Sequence, residues 1–65
     1  MGEATMTIQQ YIDAARRPGL YTAEQIRSAF QHWDLRAHLS GDEDAAMVAR
    51  IWRRKCAEAL ESMEG

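Results

Sequence analysis

At Thr7–Gln10, Thr22–Gln25 and Ser40–Glu43 a threonine or serine stands three positions before a glutamine or glutamate, each next to a run of helical spacing. In a capping box the hydroxyl accepts from a first-turn N–H while the Gln or Glu side chain reaches back to the N–H of the cap residue. Together they satisfy backbone donors that a helix start otherwise leaves without partners. Three such patterns predict three helices. Pro18-Gly19 closes the first, since proline lacks the N–H a helix interior needs, and Ser40-Gly41 separates the second from the third. The expected fold is all-α, a three-helix unit of two shorter helices and one long C-terminal helix.

Helical spacing places Ile8, Tyr11, Ile12 and Ala15 on one side of a helix over 8–16, and Ile26, Ala29, Phe30, Trp33 and Ala37 on one side of the next. A third helix over 42–63 aligns Ala45, Val48, Ala49, Trp52, Cys56, Ala59, Leu60 and Met63. These stripes predict the core, with both tryptophans mostly buried. Two apolar pairs fall outside them. Leu35 and Leu39 oppose Phe30 and Trp33 if the second helix is continuous; if Asp34 instead ends it and caps a new turn, they swing back to the core. Met47 and Ile51 sit on the charged side of the third helix, where nothing breaks the chain. They read as part of a second buried face, covered by the first helix, by another copy or by a partner.

A chain of 65 residues makes one domain, 1–65, with 1–6 expected to be flexible. Domains this small hide only about 60% of the surface their unfolded chains expose, and they commonly depend on a disulfide, a metal or another subunit. Cys56 is the single cysteine, and with two histidines it falls short of a zinc set. Self-association, most simply a two-fold dimer, is therefore the expected supplement.

The formal charge of −2 comes from ten acidic and eight basic residues spread along the chain, which argues mildly against nucleic acid as a partner. No apolar run approaches the roughly 18 residues that cross a bilayer, and "MGEATMTIQQ" carries an acid where a signal peptide carries basic residues. A cytoplasmic protein with no membrane partner is expected. Seven arginines against one lysine, eleven alanines and no asparagine point to GC-rich coding DNA, and so to a bacterial or phage source.

Two stretches invite sharper readings. "YIDAARRPGLYTAEQIRSAFQHWDL" resembles the helix-turn-helix half of mercury-resistance-type winged regulators at Ala15, Arg16, Arg17, Gly19, Ile26 and Arg27. It departs from that pattern at Pro18 in the turn and at the long helix that follows Leu35, where the family has a hairpin wing. The resemblance implies a DNA-reading helix that offers Arg27, Ser28 and Gln31 to base edges, with Glu24 among them near the phosphates. A simple helix corner with a capped restart ranks above it. In "ARIWRRKCAEAL", Arg50, Arg53 and Arg54 share one side, with Lys55 about 100° further round and Glu58 and Glu61 nearby. A solvated face ranks first there, then an acidic protein partner, then nucleic acid.

Catalysis and cofactors find no signature. His32 and His38 lie about 120° apart on a continuous helix, Cys56 falls on the apolar stripe, and no glycine-rich phosphate loop is present. The sequence thus predicts a non-enzymatic regulatory or adaptor protein without cofactors, acting as a homodimer on another protein. Its candidate interface residues are Leu35, Leu39, Met47, Ile51, Arg50 and Arg54. The competing class is the helix-turn-helix regulator using the Ala15–Trp33 corner.

Overall fold

Two of the three capping boxes close as expected, and they set where the first two helices begin. The computed structural model describes residues 6–64, of which Glu64 is placed in its backbone only. Helix α1 spans Ile8–Arg16; the Gln10 N–H donates to Thr7 Oγ1 at 3.2 Å and the Thr7 N–H donates to Gln10 Oε1 at 2.9 Å. Helix α2 spans Ala23–Leu39, with the same reciprocal bonds between Thr22 and Gln25 at 3.1 and 2.9 Å. Helix α3 spans Glu43–Glu64. Among the described residues the only other element is a 3₁₀ turn, Pro18–Leu20, and there is no strand.

The third box does not form. Ser40 is the C-cap of α2, its N–H bonded to the Arg36 carbonyl at 3.0 Å and so not available to the Glu43 side chain, while its hydroxyl bonds to the Asp42 backbone at 3.3 and 3.4 Å. Asp42 takes that place: its carboxylate accepts from the Asp44 N–H at 3.3 Å, and its carbonyl accepts from Ala46 N–H at 2.9 Å. Acids in the opening turn, Glu43 and Asp44, also suit the positive end of the helix dipole. Neither Gly19 nor Gly41 has a positive φ, and a Cβ at either would touch nothing. The corners are shaped by caps, not by glycine.

Helices α2 and α3 form an antiparallel hairpin joined at Ser40–Asp42, and α1 lies across both. The Cα envelope measures 31 × 30 × 15 Å. Two helix layers account for the short dimension, since helices pack 8–10 Å apart and each adds a Cα radius of about 2.3 Å on either side. One face of the hairpin is covered by α1; the other has no helix over it.

The core lies under α1. Tyr11 of α1 stacks on His32 of α2 with ring centroids 4.1 Å apart and planes 13° from parallel, and the Trp33 indole N–H donates to the Tyr11 carbonyl at 3.3 Å. The buried apolar residues are Met6, Ala14, Ala15, Ile26, Ala29, Trp33, Ala46, Ala49 and Cys56. Five are alanines, whose small side chains let helices approach closely but hide little apolar surface each. Trp52 is only partly buried, against Trp33 at a centroid distance of 6.4 Å.

Several stripe residues stand elsewhere than expected. Ile8, Val48 and Met63 are exposed, while Ala46, outside the expected stripe, is buried. The expected flexibility of 1–6 falls mostly on residues 1–5, outside the described residues; Met6 itself packs in the core. Helix α2 runs through Asp34 without a break, so Leu35 and Leu39 are not returned to the core and are 58% and 73% exposed.

Candidate protein-binding surface

The uncovered face of the hairpin holds a groove of about 430 Å³ between α2 and α3, lined by Phe30, Met47, Arg50, Ile51, Arg53, Arg54 and Ala57. Its residues follow from helix geometry. On α2, Phe30 lies about 160° round from His32, which faces α1. On α3, Met47 and Ile51 lie roughly opposite Cys56, which is fully buried. Both side chains stay about half exposed, and α1 does not cover them. Val48, 47% exposed, extends the apolar surface by one position.

The basic rim divides into residues with different duties. Arg53 donates to Asp34 Oδ1 across the hairpin at 2.7 Å, so it serves the fold. Arg54 sits 3.7 Å from Glu58 in a loose, exposed pair that leaves its guanidinium accessible. Arg50 is exposed. The expected grouping of three arginines thus reduces to Arg50 and Arg54 as outward cations, with Lys55 further round.

Leu35 and Leu39 line a second open cleft, of about 330 Å³, with Arg36 and Ser40 at the C-terminal end of α2. Of the four aliphatic candidates, then, Met47 and Ile51 are brought together with Phe30, and Leu35 and Leu39 form a separate patch. A third cleft, of about 320 Å³, lies along α1 beside Asp13, Arg16, Arg17 and Tyr21. There the Tyr21 hydroxyl donates to Asp13 at 2.8 Å and Arg17 Nε donates to the same carboxylate at 3.0 Å, which ties the 3₁₀ corner to the end of α1. Donation from Tyr21, then the nearby arginines, holds Asp13 below the usual carboxylate range despite some burial.

Arg27, Ser28 and Gln31 are all exposed on α2, as a DNA-reading helix requires, and Glu24 is exposed on the same stretch. His32 is held under Tyr11, whereas His38 is exposed with Nδ1 2.8 Å from the Asp34 carbonyl. Among the described residues no three His, Cys, Asp or Glu side chains gather in a set able to hold a metal. Burial pushes the Cys56 thiol up to about 11. None of the described helices is long and apolar enough to cross a membrane.

The chain matches no protein-family model, no curated protein and no solved structure. Sequence reasoning missed Phe30 as a groove residue, because an aromatic on the apolar stripe reads as core. The Arg53–Asp34 pair was equally hidden, since a single sequence carries no signal for which charges meet across a hairpin.

Proposed function

We propose that this chain is a small non-enzymatic regulatory or adaptor protein that acts as a homodimer by binding another protein. One observation carries the reading. Among the described residues, eight large aliphatic side chains are exposed, namely Ile8, Leu20, Leu35, Leu39, Met47, Val48, Ile51 and Met63, whereas only Met6 and Ile26 of that kind are buried. Single exposed aliphatics are ordinary, but clustered ones mark surfaces that are covered in use. The clusters here are Met47–Val48–Ile51 on α3 and Leu35–Leu39 on α2. Arg50, Arg54 and Arg36 beside them supply the polar rim that protein interfaces carry around an apolar centre. The three clefts are shallow and open, which suits a surface that docks a partner rather than a small substrate.

A helix-turn-helix regulator is the second reading, favoured by the exposure of Arg27, Ser28 and Gln31 just after the corner. Glu24 among them and the net charge of −2 weigh against it. One pair of measurements separates the two. Immobilised wild type should retain a protein from a lysate of the source cells that a Leu35→Glu, Leu39→Glu variant does not, while duplex DNA binds weakly at all salt concentrations. Tight DNA binding that falls steeply with salt and is lost in Arg27→Ala would replace the adaptor reading with the regulator.

A further inference from the structure

We infer that the outward face of α3 packs against the same face of a second copy, with the two helices antiparallel and Met47 of each copy against the partner's Ile51. This rests on reading that face as an interface, and it adds which partner covers it and in which direction. Charge order along the helix decides both. Upstream of Met47 stand Asp42, Glu43 and Asp44, all exposed; downstream of Ile51 stand first Arg54 and Lys55, then Glu58 and Glu61, also exposed.

A two-fold axis level with the buried Ala49, but on the outward side of α3, brings residues equally far upstream and downstream of that level together. Met47 then meets the partner's Ile51, Asp44 meets the partner's Arg54 and Glu43 meets the partner's Lys55. Asp44 and Arg54 are each about 7.5 Å along the axis from Ala49 and fall within about 80° of one another around the helix, on the side that carries Met47 and Ile51. Every contact occurs twice, so one patch supplies both halves of the interface. A parallel pair would instead set Asp44 on Asp44 and Arg54 on Arg54, which like-charge repulsion disfavours. Glu58, in loose contact with Arg54 at 3.7 Å, falls past the start of the partner's α3 in this register. The uncovered side of the hairpin provides the room, since α1 lies on its other face.

The test is sedimentation equilibrium of the full chain from about 5 to about 500 μM, where mass action makes assembly visible. Wild type should move from monomer to dimer across this range. Asp44→Arg and Arg54→Asp should each weaken dimerisation by roughly tenfold or more, because each turns two attractions into two repulsions. Mixed in equal amounts, the two variants should regain wild-type association, since each then meets an opposite charge at both ends. Asp44→Arg also sets a cation near the start of α3 and lowers stability somewhat, but recovery on mixing does not depend on that cost. Circular dichroism on each variant confirms that it is folded. A wild type that stays monomeric throughout overturns the inference, as do single variants that associate like wild type, a mixture that fails to recover, or a dimer disrupted by Leu35→Asp and not by Ile51→Asp. Retention of a lysate protein through Leu35 and Leu39 is read separately, so either proposal can fail while the other stands.

Discussion

Arg53 on α3 donates to the Asp34 carboxylate on α2 at 2.7 Å, an ion pair that joins the two arms of the hairpin rather than neighbours on one helix. Its side chains are about one-third and two-fifths exposed, so solvent screens part of the attraction. Arg53→Ala and Asp34→Ala should each destabilise the fold by about 1 kcal/mol or less, and the double variant should cost less than the sum of the two. A urea-denaturation cycle measures the coupling. Arg50→Ala, by contrast, should leave stability nearly unchanged.

The cap positions give a sharper contrast. Thr7→Ala and Thr22→Ala each remove a hydroxyl that accepts from the first turn, and each should cost on the order of 1 kcal/mol. At the third helix the loss should come from Asp42→Ala, which removes the acceptor for the Asp44 N–H. Glu43→Ala should be mild, because no reciprocal box forms there. Thermal melts of the four variants at one protein concentration check the order.

His32 makes stability depend on acid. Its Nε2 is buried without a hydrogen-bond partner, and burial, helped by Arg36, lowers its pKa below the ordinary 6.5. The native state therefore favours the neutral ring, and the unfolded chain takes up a proton first as the pH falls. The contribution is fully present above about 6.5 and is lost as the pH drops from there to the lowered native value. Urea midpoints measured from pH 7.5 down to pH 5 should decline, and His32→Phe, which keeps a ring to stack on Tyr11, should flatten that decline. Asp13 acts in the same direction, but only below its ordinary 3.8.

Cys56 reports on opening of the core. It is fully buried with its thiol pushed up to about 11, so the thiolate is scarce at neutral pH and the sulfur is shielded. An aromatic disulfide reagent should react slowly with the folded protein and at the ordinary rate in urea. Cys56→Ser, which buries a hydroxyl with no assured partner, should cost roughly 1–3 kcal/mol.

How much of this was legible in the sequence depends on whether the signal is local. Thr7–Gln10 and Thr22–Gln25 act within one turn, and so they gave the helix starts, while Pro18 gave the end of α1. Ser40 misled because its backbone was already committed to closing α2, a competition that spacing alone does not display. The apolar stripes located Ile26, Ala29, Trp33, Ala49 and Cys56, but they could not tell which flank of a stripe a third helix covers. That is why Phe30 was placed wholly inside and Val48 was expected in the core. Met47 and Ile51 stood out because they broke the period of an uninterrupted helix, and the fold leaves them on the side that α1 does not reach.

The most direct measurement is methyl NMR of Met47 and Ile51 in the wild-type protein, followed from tens of micromolar to about one millimolar, a range that spans weak self-association. If the outward face of α3 is covered by a second copy, these two resonances shift with concentration together, while Ile26 in the core and Leu35 and Leu39 on α2 hold still. Resonances of Met47 and Ile51 that do not move over the whole range would contradict it.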